Sequence, residues 1–421
     1  MKKSRHPNSK QIIMICIFVI FLIVISNLAI YNNIGTSYNS NWDVEVVDSS
    51  NQFSGYRCQI GINSNGNPII EYQATSDILL AHRNVNHDWQ SERIANNSDG
   101  YSLSSMVIDN VGIAHLIYLT QNGRQLVYTT KIGGIWESQK SEDAIYGPAS
   151  LAVDNNGNPH VVYFRYGVLN YTHWDNGSWT TITIDNSSTV KYNNIEIDNS
   201  NFPHILASDV SREKLKYFYY NGFNWSEEDI DCGSGVLISP SSPDLRIDSN
   251  GSPHIVYVDE QNMSLKYVEK TGNGWSVETV DSHGVISWPG IAIDKNDVIH
   301  IAYHSNGLKY AKKVEKIWST ETIDSSERTG TSPSIVVDKT GNVHIAYFTK
   351  SPPQINYATT KKSGSFRTYP ISKNDYAMFI TVSASIVIIS LVSSYILLTR
   401  RNKKTKDRKG PAREKPASLQ K

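Results

Sequence analysis

Three patterns in the 421 residues predict an all-β protein, a seven-bladed β-propeller of four-stranded antiparallel blades flanked by N- and C-terminal transmembrane helices. One unit of 44 to 50 residues recurs seven times between Asn63 and Tyr357. Each unit holds four short runs rich in β-branched and aromatic residues, with turn formers between them. Two long apolar stretches bracket the repeats.

The chain starts with a basic stretch, residues 1–11, expected on the cytoplasmic side. Residues 12–31 are apolar and uncharged and read as a transmembrane signal-anchor or a signal peptide. The run is long for a signal peptide, and no small-x-small cleavage site stands near Ala29, which favours the anchor. A linker, 32–41, leads to the propeller, 42–371. Residues 376–398 then supply 23 uncharged residues, about 34 Å as a helix and enough to cross a bilayer. The tail, 399–421, carries a net charge of +8 and marks the cytoplasmic side, so the propeller is expected outside the cell.

Within each unit the first strand ends in an Asp followed by a turn, and a His opens the second strand six residues after that Asp. The pairs are Asp109/His115, Asp154/His160, Asp198/His204, Asp248/His254, Asp294/His300 and Asp338/His344; the first unit has Asn63 and Ile69 instead. Turns such as 155–158 and 249–252 contain a Gly that takes positive φ without steric cost. The hairpins are short, so Asp and His are expected to be cross-strand neighbours whose hydrogen bond pins each inner hairpin. The third strand carries Tyr128, Tyr171, Tyr217, Tyr267, Tyr310 or Tyr357. The fourth opens with Trp89, Trp136, Trp179, Trp225, Trp275 or Trp318, and with Phe366 in the last copy. These rings supply the apolar surface that stacked blades bury; a fully buried Trp hides ~150–250 Å², at most about 4–6 kcal/mol.

The Trp strand occurs one time too many. The extra copy comes first, WDVEVVD at 42–48, with Glu45 three after Trp42 and Asp48 six after. Trp225, Trp275 and Trp318 share those offsets, whereas FRTYPIS (366–372) fits them poorly. The N-terminal strand is therefore expected to complete the last blade, with Trp42 closing the ring. The alternative is an added edge strand on one blade.

Zero net charge overall conceals an acidic middle: residues 32–375 carry −12. Such a surface repels phosphate backbones, so no nucleic-acid partner is expected. Membrane lipid is the expected partner of the basic tail. Cys58 and Cys232 lie far apart around the ring, which argues against a disulfide. Seven Asn-x-Ser/Thr sequons, Asn170 among them, permit glycosylation.

One imidazole per blade does not make a converging ligand set, and the DNNGN-type turns lack the alternating carboxylates and final Glu of a calcium loop. No metal or cofactor is expected, and no catalytic residue stands out by motif.

On these residues the units resemble the seven-bladed propeller repeats of prokaryotic secreted and surface proteins, lectin-like and sialidase-like. The resemblance covers residues 42 to about 371. It departs from the sialidase pattern, since two residues rather than one separate Asp from Gly, as in DNNG (154–157) and DKTG (338–341). It implies binding of a glycan, peptide or surface protein, with a glycan-cleaving hydrolase or a structural platform of the cell envelope as alternatives. Loops that vary between copies are where recognition is expected on a rigid scaffold. The second-to-third loops and fourth-to-first links vary most. They nominate Asp209, Arg212, Asp259, Glu260, His283, Trp288, His304 and Arg328 as the binding surface.

Overall fold

The computed structural model describes residues 41–360 apart from 51–56, 75–76, 96–103, 121–124, 145–147, 188, 210, 233–242, 283, 286 and 327–328. Both apolar terminal segments and Phe366 lie outside the described residues, among which no helix is long and apolar enough to cross a membrane. The described strands form seven sheets of four antiparallel strands each. Blades 1 to 6 span 58–95, 104–144, 149–185, 190–230, 244–281 and 287–324. In blade 7 the strands Thr331–Val337, Val343–Lys350 and Pro353–Thr360 are followed in space by Trp42–Asp48. That N-terminal strand pairs antiparallel with Pro353–Thr360, Trp42 standing opposite Thr360.

The hydrophobic core is distributed rather than central. It divides into seven clusters, each drawn from two neighbouring blades, including one between blades 7 and 1. This is how a ring of repeats avoids the size limit of a single core.

The offsets after each fourth-strand Trp have a packing reason. The residue three after it accepts the indole N–H of the next blade's Trp. Trp42 donates to Glu321 at 3.0 Å, Trp318 to Glu278 at 2.8 Å, Trp275 to Glu228 at 3.0 Å and Trp89 to Glu45 at 3.2 Å. The Asp six after it accepts from a second-strand Tyr of the next blade. These bonds are Tyr72–Asp48 at 2.8 Å, Tyr303–Asp281 at 2.9 Å and Tyr347–Asp324 at 2.9 Å. Burial of the Trp residues departs from the expectation. Trp42 is 1% exposed, but the other fourth-strand Trp residues are only half-buried.

Asp and His come together in all six blades, but on the diagonal, and the hydrogen bond between them is made in blades 2 and 7 only. His160 stands opposite Ala152, two before Asp154. The Asp Oδ1 accepts the backbone N–H groups two and four residues on, as Asp154 does from Asn156 and Asn158 at 2.9 and 2.8 Å. Its Oδ2 faces His Nε2 at 3.2 Å in blades 2 and 7 and at 3.4–3.8 Å in blades 3 to 6. The other ring nitrogen meets a third member, the third-strand Tyr. His115–Tyr128, His160–Tyr171, His300–Tyr310 and His344–Tyr357 are all 2.6 Å, and His204–Tyr217 and His254–Tyr267 match them. In blades 2 and 7 the carboxylate acceptor requires Nε2–H, so Nδ1 there accepts the Tyr O–H, whereas Tyr267 of blade 5 donates to Glu269 at 2.9 Å. The Tyr ring then lies edge-on to the next blade's Trp with centroids 5.1–5.7 Å apart. Turn, hairpin and blade junction are thereby tied into one relay, Asp–His–Tyr–Trp.

Cys58 and Cys232 are both buried and free. Asn170 is buried, with its amide donating to the Val168 carbonyl at 3.0 Å and accepting from Thr183, so this sequon is closed to a glycan in the folded chain.

Candidate functional site

The first strands stand around the axis without pairing to one another, so their backbone N–H groups need other acceptors. The side chain four before the turn Asp supplies one to the next blade. Gln59 takes Met106 N–H, Ser105 Oγ takes Leu151 N–H at 3.3 Å, Asp244 Oδ2 takes Ile291 N–H at 3.0 Å, and Ser334 Oγ takes Ile60 N–H at 3.2 Å. This hub of small polar groups fixes the width of the central channel. Gly61 marks how close the strands come, for a Cβ there would sit 2.2 Å from Ile108 Cγ1.

Two residues before the turn Asp the column reads Gly61, Val107, Ala152, Glu196, Arg246, Ala292 and Val336. Five positions are small or apolar; two adjacent ones are charged. They line a channel of about 630 Å³ walled by the ends of all seven first strands and opening among the first-to-second-strand turns. Arg246 Nη1 donates to Glu196 Oε1 at 2.7 Å, to Asp244 Oδ1 at 3.1 Å and to the Leu245 carbonyl at 2.7 Å. Asn194 Nδ2 donates to Asp244 Oδ1 at 2.7 Å. Burial pushes the Glu196 carboxyl up to about 7 against the pull of Arg246, with Asp244 adding to the rise. Burial also acts to lower Arg246, but Asp244 and Glu196 outweigh it and hold the guanidinium above its ordinary value. The chamber is apolar along its strand column and polar where the turns Asn63–Gly66, Asp109–Asn110 and Asp338–Thr340 open it, and convergent polar groups with a perturbed carboxyl in such a concavity mark a candidate small-molecule site.

The loop residues nominated by variability do not converge in this way. Asp209 and Asp259 are fully buried at the ends of second strands and pin their own loops. Asp209 accepts from Ser211, Arg212 and Thr189, and Asp259 from Asn262. Burial raises the Asp209 carboxyl, but the bonds from Ser211, Arg212 and Thr189 hold it down at about 2. Arg212 also reaches Asp229 at 3.6 Å. Glu260 is exposed. His304 is buried, with no partner for Nδ1 among the described residues. Trp288, on the first strand of blade 6, lies under the guanidinium of Arg57, the residue before blade 1, at 4.9 Å. His283 and Arg328 lie outside the described residues.

Among the described residues no group of three or more His, Cys, Asp or Glu is placed to hold a metal ion. Four arginines are committed one by one to carboxylates: Arg83 to Glu45, Arg93 to Asp77, Arg212 to Asp209 and Arg246 to Glu196. Sequence reasoning missed Glu196 and Arg246 because it searched loops; aligning the strand column by column exposes both.

The chain is a seven-bladed β-propeller, with one charged pair set into an otherwise apolar column of its channel. No family model and no curated protein matches the sequence. Among solved structures, virginiamycin B lyase from Staphylococcus aureus superposes with a TM-score of 0.54 at 11% identity, over 76% of this chain and 98% of that one. A streptogramin B lyase gives 0.53 at 12% identity, over 77% and 98%. The six-bladed Aleuria aurantia lectin gives 0.47 at 12% identity, over 65% and 96%, a likeness too weak to argue from. Identities this low show a shared fold and nothing further.

Proposed function

We propose that the chain is a membrane-held, extracellular binding propeller that takes a carbohydrate ligand into its central channel. The observation that carries this reading is the Glu196–Arg246 pair. A sugar hydroxyl donates and accepts at once, and the pair offers a carboxylate acceptor beside guanidinium donors. The apolar C–H faces of a sugar suit the Ile, Val and Ala walls. The apolar segments 12–31 and 376–398, each with a basic flank, support membrane attachment and an outward-facing ring.

A glycan array with the soluble fragment 38–373 tests the reading. Glu196→Gln, which keeps the shape and removes the charge, is expected to weaken binding about tenfold, the worth of one charge-assisted hydrogen bond. The carboxylate form grows as pH rises through about 7, so binding is expected to strengthen from pH 6 to pH 8 in the native protein and to stay flat in Glu196→Gln. No binder on the array, or a Glu196→Gln variant that binds as well as the native chain, sinks the reading.

The hydrolase alternative needs a second free carboxylate near Glu196. Asp244 is the near one, and both of its oxygens are taken: Oδ1 by Asn194, Leu245 N–H and Arg246, Oδ2 by Ile291 N–H. The arrangement therefore supports binding over cleavage.

A further inference from the structure

Blade 1 is the one blade built without the relay. Where the others have Asp, His and Tyr, it has Asn63, Ile69 and Leu80. At that place a half-open cleft of about 250 Å³ lies between blades 1 and 2, with Ile69, Leu80 and Ile113 among its apolar lining and Asn63, His82, Arg83, Glu92 and Lys131 among its polar lining. That volume equals roughly eight waters, enough for one monocyclic ring with a substituent. In the six other blades the corresponding layer is occupied by an imidazole bonded to a phenol.

The cleft differs from its siblings in charge as well as shape. Asn63 Oδ1 accepts Asn65 N–H and Asn67 N–H, both at 3.0 Å, as the Asp Oδ1 does elsewhere. That assignment fixes the amide, so Asn63 Nδ2 occupies the place of the carboxylate oxygen that faces His in the other blades. A negative acceptor has become a neutral donor with no protein partner among the described residues. Arg83 and Lys131 also line the cleft, each paired with a carboxylate, Arg83 with Glu45 and Lys131 with Glu92, so the exchange of Asp for Asn removes the unbalanced negative charge that the sibling blades keep there.

We propose that this cleft binds a small aryl carboxylate, the ring on Ile69, Leu80 and Ile113 and the carboxylate received by Asn63 Nδ2 beside the salt-bridged Arg83 and Lys131. The aromatic body follows from what fills the same layer in six sibling blades, and the anionic head from the loss of the turn carboxylate. The site is separate in its chemistry from the Glu196–Arg246 pair.

The test is fluorine NMR titration of 4-fluorobenzoate into the detergent-solubilised full chain. Saturable binding with a Kd of about 1 mM is expected for a ligand this small. Asn63→Asp gives blade 1 the residue its siblings use, so it keeps the turn while restoring the negative charge; it is expected to weaken binding at least tenfold. The double variant Ile69→His, Leu80→Tyr rebuilds the relay inside the cleft and is expected to abolish binding. The neutral isostere 4-fluorobenzamide is expected to bind at least tenfold more weakly. No saturable binding, or affinity unchanged in either variant, overturns the proposal.

Discussion

Trp42→Ala is expected to lower the melting temperature of the full chain by about 5–10 °C and to loosen the ring. Trp42 is 1% exposed, lies edge-on to Tyr310 at 5.1 Å and donates to Glu321 at 3.0 Å. Removing such a side chain costs about 3–5 kcal/mol, and a domain of this size shifts roughly 2 °C for each kcal/mol. The effect is concentrated because the strand Trp42–Asp48 is the sole link of its kind: it completes blade 7 by strand pairing alone, with no covalent connection between it and its sheet neighbour. In every other blade the fourth strand follows the third in the chain. Phe366→Ala is the control, because the fourth place in that sheet is already filled. Differential scanning calorimetry reads both. A Trp42→Ala chain that melts with the native one, beside a destabilised Phe366→Ala, would reverse the assignment of the closing strand.

The fold was legible because packing repeats. The offsets of three and six after each Trp recur since each meets the same partner in the next blade, an indole N–H and a Tyr hydroxyl, and repeated partners leave repeated letters. The diagonal placement of Asp and His was not legible, since the turn geometry that moves His two places along the strand lies in backbone angles. Gly157 and its counterparts hold φ near 84°, and Asn201 and Asp297 take the same role at 65° and 58°. The Tyr of the relay was visible as a column but not as a partner, because it sits 10 to 13 residues beyond its His across loops of differing length.

The candidate site was harder to read for a physical reason. Glu196 and Arg246 are 50 residues apart, and each alone looks like a solvated charge at a strand end. Only the stacking of blade 4 on blade 5 places their strands side by side about the axis. Asp209 and Asp259 close second strands beside loops that differ, and both occupy the fifth position after the repeat His and bond within those loops. A polar residue in a variable loop is thus as free for packing as for recognition, whereas a charge in an apolar inner column has fewer structural explanations.

Stability is expected to fall steeply as the pH drops from 6.5 towards 4, well before the carboxylates of the turns are protonated. All six relay histidines are held below their ordinary value of 6.5, burial being the largest cause in each, and His160 falls to about 4. The folded ring therefore binds these protons more weakly than the unfolded chain does. The stabilisation is complete above 6.5 and is lost as the pH falls through the folded values. For His160 alone the difference amounts to about 3 kcal/mol by pH 4. The relay Asp residues add a second loss below their ordinary range, since hydrogen bonds overcome burial and hold Asp154, Asp248, Asp294 and Asp338 low. Tyrosine sets the opposite limit. Burial raises Tyr128 and Tyr357 to about 12, so their contribution is present below pH 10 and fades as the pH rises through the folded value. Glu196 acts against the acid loss, since a carboxyl raised to about 7 favours the folded state at low pH, but it is one group against six. Urea titrations between pH 8 and 4.5 measure the slope of stability with pH, which counts the protons taken up on unfolding. Several protons are expected near pH 5, and one fewer in His160→Gln, whose amide does not titrate. A slope near zero would mean that the six imidazoles are charged in the folded ring, and the neutral Asp–His–Tyr relay would then be the wrong description of every blade that carries it.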